Sequence, residues 1–384
     1  VTRTRWCELF INNSYHGLYV LMEKIKRDDN RVDIAKLNPG DIVGDELTGG
    51  YIFSIDRNDE GPGRGWYSPF TNDCFYKFQD PDYDELAFQQ KAYLENFITG
   101  FETAMDGPNA AAVYEDYIDV DSWVDYWLQT EVFKHIDNFK FSFYMYKRKD
   151  SNGGKLHFGP QWDLNLAFGN FDFAQDDGPE GWSYVWANQG FLRPFWVVTL
   201  TDIPEIRDRI DCRWQELREG PWRTDSLLAF IDDNAVQIQE ARERNFQRWP
   251  VLGQYLWPNS YVGQDYEDEL NYLQQWLQDR LAWMDQHMIG DCSALPTDNP
   301  ATGLADLRVF PNPFSTSVYF LMEGASMEKA ELQIVDVLGR EVDRFVLQNG
   351  ESRTVELPER AGRLLFYQLL INGDRVKSGK LIRM

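Results

Sequence analysis

The chain has 384 residues, 43% hydrophobic and 15% aromatic, enough for one large or two ordinary domains with a substantial core. Its formal net charge of -24 disfavours nucleic acid and anionic membrane as partners. No run of residues approaches the length of a membrane helix and no signal peptide is present, so a chain that opens at Val1 in strand-like sequence reads as processed or truncated.

Trp6–Ile11 and Gly17–Lys26 are apolar runs separated by Asn12-Asn13-Ser14, which predicts a hairpin. Gly49–Asp56 is a further strand and Phe75–Phe78 a fourth, giving a small β-rich lobe over roughly the first 80 residues. Asp59–Ser68 between them is a Gly/Pro loop. Helical periodicity begins at Asp84 and runs to about Met105. It is clearer over Asp119–His135, where Trp123, Val124, Trp127, Leu128, Val132 and Phe133 form one stripe, with Asp121 or Ser122 as the cap.

This helix leads into two strand-like runs, Phe139–Tyr146 and Lys155–Trp162, joined by Ser151-Asn152-Gly153-Gly154 and therefore expected to form a hairpin. Asp137 stands before the first run and Asp163 after the second. The open end of a hairpin brings such positions side by side. Two acids there can take a divalent metal and a hydroxyl proton, the layout of the catalytic and metal loops of protein kinases. A Trp-rich irregular segment, Phe171–Trp196, follows; its Trp182–Trp196 part reads as core, the alternative being a surface for sugars or a peptide. Helices are then expected over Pro204–Glu219, Asp225–Phe246 and Tyr266–Met288. The fold class expected is α+β: a two-lobed, protein-kinase-like unit with a small β-rich lobe before a helical lobe holding the hairpin.

Residues 293–302 (SALPTDNPAT) form a linker by composition. Beyond it, from 303 to 384, the pattern is alternation without helix signals, with turns at Leu338-Gly339 and Asn372-Gly373, as in a small β-sandwich. This tail holds eleven acidic and eleven basic residues, so the acidic excess lies before it. The four cysteines have no CxxC spacing. In an exported chain they permit two disulfides, the alternative being buried thiols. Cys212 with Cys292, each near a helix end, is the expected pair, and Cys7 with Cys74 a second.

Several stretches carry a resemblance. His135-Ile136-Asp137-Asn138, the hairpin, WDLNLAFGN at 162–170, GLYVLMEKIKRDDNRVDI at 17–34, and the RWQELR and RNFQRWP stretches together resemble the CotH family of atypical protein kinases, in the form found in secreted proteins of the Bacteroidetes. The resemblance covers residues 1–292. FPNPF at 310–314 and SGKLIRM at 378–384 resemble the type A C-terminal sorting domain of the type IX secretion system. Together they imply a secreted or surface kinase that reaches the outside through periplasm and outer membrane. It would use ATP with Mg²⁺ or Mn²⁺ and act on a secreted protein, with the type IX secretion machinery as partner and neither nucleic acid nor a transmembrane segment involved. So acidic a surface would repel ATP unless a basic or metal-filled pocket compensates.

Asp137 is the expected catalytic base and Asp163 the expected metal ligand. The bland alternatives are an Asx-turn acid with Asn138 as partner and a helix cap. Kinases place an Asn five residues after the base, where this chain has Ser142, and many relatives carry Asp where it has Asn165. Asn138 or Asn165 can fill in through a carbonyl. For the phosphates the candidates are Lys24, Lys26 and Lys77, with Glu23 as the acid that holds the lysine, although alternation sends Glu23 and Lys24 to opposite faces. His135 reads as a structural hydrogen bonder. Two other classes remain open: a catalytically silent surface module tied to polysaccharide degradation, and a carboxylate-pair glycosidase.

Overall fold

The computed structural model describes residues 2–383 apart from 60, 62, 72, 138, 174–176, 189–192, 294–305, 311–313, 315, 324–328, 337–340, 349–350, 359–363 and 372–373. The linker (beyond Ser293), Asn138 and the Leu338-Gly339 and Asn372-Gly373 turns lie outside the described residues. The chain divides into two compact units, Val1–Ala294 and Leu295–Met384.

In the first unit β1 (Thr4–Ile11) and β2 (Ser14–Met22) form a two-stranded antiparallel sheet. Asn12 and Asn13 both hold positive φ, as a tight hairpin turn requires. Gly17 has φ 125°, and a Cβ there would lie 2.8 Å from Asn245 Oδ1, so only glycine lets this strand reach its neighbour. That neighbour is α7 (Gln239–Arg248), whose Asn245 accepts the Leu18 N–H at 3.0 Å.

A five-stranded antiparallel sheet has the order β4 (Gly65–Tyr67), β5 (Phe75–Asp80), β3 (Tyr51–Ile55), β6 (Phe143–Lys147), β7 (Leu156–Phe158). The sequence places β3 to β5 in one lobe and the β6–β7 hairpin in another. Instead Ile55 pairs with Phe143 and Phe53 with Met145, so both groups share one sheet. Matched aromatic and aliphatic faces explain the union. Phe53, Ile55, Tyr76, Phe143 and Met145 are fully buried together against Phe101 of α1 (Phe88–Asp106), Trp123 of α3 (Val120–Phe133) and Trp196 of α4 (Trp196–Asp202). Each large apolar side chain so enclosed contributes roughly 1.5–3 kcal/mol.

Asp119, rather than Asp121 or Ser122, caps α3 by accepting the Ser122 N–H at 2.8 Å. Two short helices were not legible, α4 and α2 (Ala110–Tyr117). α5 (Pro204–Glu219) follows the expected bounds. The helix expected over Asp225–Phe246 is broken at Ile238 into α6 (Thr224–Gln237) and α7. α8 (Tyr266–His287) starts at an Asp265 cap.

A disulfide joins Cys212 of α5 to Cys292 beyond α8, with Cα atoms 4.7 Å apart. The second expected pair does not form: Cys7 and Cys74 are both free thiols. Cys7 lies on β1, in the separate two-stranded sheet, whereas Cys74 is enclosed in the main core.

The second unit holds a four-stranded sheet ordered β11 (Glu341–Gln348), β10 (Lys329–Asp336), β13 (Leu364–Ile371), β14 (Asp374–Ile382), and a three-stranded sheet ordered β12 (Ser352–Glu356), β9 (Ser317–Glu323), β8 (Asp306–Phe310). Alternate residues of both sheets, Phe320 and Val355 from one, Leu332, Leu369 and Leu381 from the other, enter one core.

Candidate functional site

The site forms where α3 runs out. Lys134 takes a left-handed conformation (φ 46°) while its N–H still bonds the Thr130 carbonyl at 2.9 Å. Its ammonium is buried and donates to the carbonyls of Gly178 and Glu180. Two backbone bonds then clasp the turn to the segment after the hairpin: Ile136 N–H to Leu166 O at 3.2 Å and Phe168 N–H to Phe133 O at 2.9 Å. Gln161 reinforces the clasp by donating to Thr130 Oγ1 at 2.8 Å. The Asp137 carbonyl accepts from both Lys140 and Phe141 N–H at 3.0 Å, which closes a turn rather than a strand. This is why β6 starts at Phe143, four residues later than the aromatic alternation suggests.

Left-handed backbone concentrates here. Of the seven non-glycine residues with positive φ among the described residues, five are Lys134, Phe139, Ser142, Asp163 and Phe168. Each is a conformation that costs on the order of 1–3 kcal/mol and persists only where surroundings enforce it. For Phe139 the enforcement is visible: its ring is fully buried beside Trp123, Tyr126 and Phe143.

His135 organises the two acids. Its Nδ1 accepts the Asp137 N–H at 3.0 Å. Burial lowers the imidazole pKa, while the charges of Asp137 and Asp163 pull it the other way. Asp163 itself is exposed, at φ 59°, on the first residue before a short helical turn, Leu164–Leu166. Asp137 pairs with Lys140 Nζ at 3.3 Å, with both side chains less than a fifth exposed. Arg193 is buried and donates from Nη2 to Ile136 O at 2.8 Å. Burial lowers its pKa to about 10, against the pull of Asp137 and Glu131.

The outer face of the sheet continues into this site. Ser54 pairs across β3 with Lys77 on one side and Tyr144 on the other, so the three side chains share a face. Burial raises the Tyr144 pKa to about 12, and the charges of Asp56 and Asp163 add to it. Asp56 is likewise raised by burial, with Lys77 opposing. The loop after β3 spans the gap: Asp59 Oδ1 lies 4.0 Å from Lys77 Nζ, and the Arg57 guanidinium sits 4.6 Å over the Phe141 ring.

Glu23, Lys24 and Lys26 stand just past the end of β2. Glu23 is held by Arg3 at 2.7 Å and Arg31 at 2.8 Å, not by a lysine. Lys26 pairs with Asp28 at 3.1 Å, and Lys24 is exposed just past the end of β2. None of these three is among the principal charges acting on His135, Lys140 or Tyr144. Asn165 lines a cleft of about 400 Å³ with Asn170, Leu256, Tyr261 and Tyr272. Ser142 closes the turn after Asp137 and adjoins β6. Sequence reasoning missed Lys140, Arg57 and Arg193. Lys140 had a local signal, three residues from Asp137; the arginines are distant in sequence and had none.

Among the described residues no group of three His, Cys, Asp or Glu could cage a metal. The residues fit a Mg²⁺ that arrives on a nucleotide, since such an ion keeps several waters and needs only one or two protein carboxylates beside the phosphates. They do not fit a resident ion held by protein alone.

A mixed α/β unit with a hairpin clasped by backbone bonds to the end of a buried helix is consistent with a kinase-like fold. Residues 1–284 match the family described as CotH kinase protein, and the chain belongs to that family. No curated protein matches the chain. Among solved structures, dimeric latent PorU from Porphyromonas gingivalis is similar at 20% identity over 23% of this chain and 10% of that one, with a TM-score of 0.18. No helix among the described residues is long and apolar enough to cross a membrane.

Proposed function

We propose that this chain is a secreted atypical protein kinase that moves the terminal phosphoryl group of Mg-ATP to a Ser or Thr hydroxyl of a secreted or surface protein. The observation that carries the reading is the turn after α3, where buried His135 accepts the Asp137 N–H and two backbone bonds clasp the turn to the segment that follows Asp163. Asp137 takes the hydroxyl proton as the oxygen attacks phosphorus and the bond to the ADP oxygen breaks. Asp163 holds the divalent ion, which when bound offsets charge on the β- and γ-phosphates. Asn138, Asn165 and Ser142 are the remaining candidates to complete its coordination. Lys77, on the sheet face that leads to Tyr144, is the favoured phosphate lysine over Lys24 and Lys26.

The second unit is proposed as a β-sandwich sorting domain read by the type IX secretion machinery, with residues 293–302 as linker. Its even charge and two-sheet core support that reading.

Calorimetry of ATP binding with and without Mg²⁺ or Mn²⁺ tests the kinase reading. Wild type should bind ATP in a metal-dependent way, and Asp163→Ala should lose the metal dependence. Absence of metal-dependent binding in the wild type overturns it. A specific observation favours a second reading, a catalytically silent surface module: Asp137 is already engaged by an ammonium at 3.3 Å. That reading requires wild type and Asp137→Asn to be equally inert in a phosphate-transfer assay.

A further inference from the structure

In a chain of net charge -24, Lys140, Arg57 and Arg193 gather at the turn that follows Asp137. Lys140 Nζ lies 3.3 Å from Asp137 and 4.8 Å from the Phe141 ring centroid. Arg57, from the loop after β3, places its guanidinium 4.6 Å from the centroid of that same ring. Arg193, fixed on the Ile136 carbonyl, is the third. Both arginines repel the Lys140 ammonium, and Asp137 is the chief charge that holds it in place. Attraction of both cations to the Phe141 ring offsets part of that repulsion.

The Arg57 guanidinium makes no hydrogen bond or ion pair among the described residues; only its backbone N–H does, to the Asp56 side chain. Its planar fork matches phosphate oxygens, and Phe141 fixes its orientation. We propose that Arg57 and Lys140, set on Phe141 beside Asp137, form a clamp for a phosphate-type anion. Resting on the kinase reading above, that anion is the phosphoryl group in transfer. Positive charge placed where negative charge spreads in the transition state is the main aid a protein gives phosphoryl transfer. Neither residue is local to the other in sequence, so the clamp exists only once the β3 loop lies over the turn after α3.

The test uses the full chain and inorganic pyrophosphate without metal, by calorimetry, beside an ATP–Mg²⁺ transfer assay. Arg57→Gln should weaken pyrophosphate at least tenfold at an unchanged melting temperature. Arg57→Lys, which keeps the charge and loses the fork, should fall between. Arg223→Gln, an exposed control just before α6 and paired with Asp225, should stay within twofold. Pyrophosphate affinity within twofold of wild type in Arg57→Gln, or no binding by wild type, overturns the clamp. If Arg57→Gln loses pyrophosphate and wild type transfers no phosphate, the anion site stands and the kinase reading fails. If wild type transfers phosphate and Arg57→Gln matches it in both assays, the kinase reading stands and the clamp fails.

Discussion

Glu131 and Arg280 form an ion pair at 3.1 Å with both side chains fully enclosed, and this pair fixes the ground behind the candidate site. The Glu131 carboxylate also accepts from Ser183 Oγ and from the Ser183 and Tyr184 N–H groups. Arg280 donates to the carbonyls of Glu131, Pro179 and Gly181. Burial raises the Glu131 pKa, opposed by Arg280 and by these donors. One network thus binds α3, three residues before Lys134, to α8 and to the segment that also receives the Lys134 ammonium.

Removing one member should therefore cost far more than a surface pair. Glu131→Ala leaves a buried guanidinium without its carboxylate, a change worth about 3–5 kcal/mol. Urea denaturation should show that loss. A change below about 1 kcal/mol, the range of exposed pairs, would mean the pair is solvated in solution.

Much of this fold was legible in the sequence because its signals are local. The stripe of Trp123, Val124, Trp127 and Leu128 gave a helix, Asn12-Asn13 a hairpin turn, and Pro at the head of α5 its start. That Asp137 and Asp163 flank one hairpin was legible, because the strands and their Gly-Gly turn are local in sequence. What escaped depends on distant partners. Phe139 and Phe141 look like strand residues, yet one is buried against α3 in left-handed backbone and the other carries Arg57 and Lys140 on its ring. The union of β3 with β6 was hidden for the same reason: alternation shows which face is apolar, not which strand it meets.

The Cys212–Cys292 bridge closes a loop with a sequence separation of 80. The chain-entropy argument gives a loop of that size on the order of 4 kcal/mol. Cys292→Ser should lower stability by an amount of that order, while Cys7→Ser should leave it nearly unchanged. Mass spectrometry of unreduced protein should find two free thiols; four would refute the bridge.

Glu102 on α1 should make stability depend on pH. It is fully buried and accepts from Tyr76 at 2.8 Å and Ser68 at 3.0 Å. Burial raises its pKa above the ordinary 4.5, and those two donors only partly oppose the shift. A carboxyl raised on folding stabilises below its unfolded pKa, and that contribution is lost as pH rises through the folded value. Glu102→Gln cannot ionise, so its stability relative to wild type should increase from pH 4.5 upward and level off beyond the folded pKa. A difference between the two that stays flat with pH shows that Glu102 titrates normally.

Asp137 separates chemistry from binding. Asp137→Asn keeps the side-chain volume and can still take part in the turn, but it cannot accept a hydroxyl proton. A positioned general base is worth typically about 10²–10⁴ in rate. Single-turnover transfer from ATP should fall by that factor. Nucleotide binding should move the other way. Lys140, pulled at 3.3 Å by the Asp137 carboxylate, loses its principal anionic partner and becomes free to meet phosphate. ATP affinity in Asp137→Asn should therefore equal or exceed that of wild type, measured at matched ionic strength because the effect is electrostatic. Asp163→Ala should show the opposite pattern, losing metal-dependent affinity together with rate. Parallel loss of binding and transfer in Asp137→Asn would make Asp137 a binding residue, and an unchanged transfer rate would remove it from the chemistry.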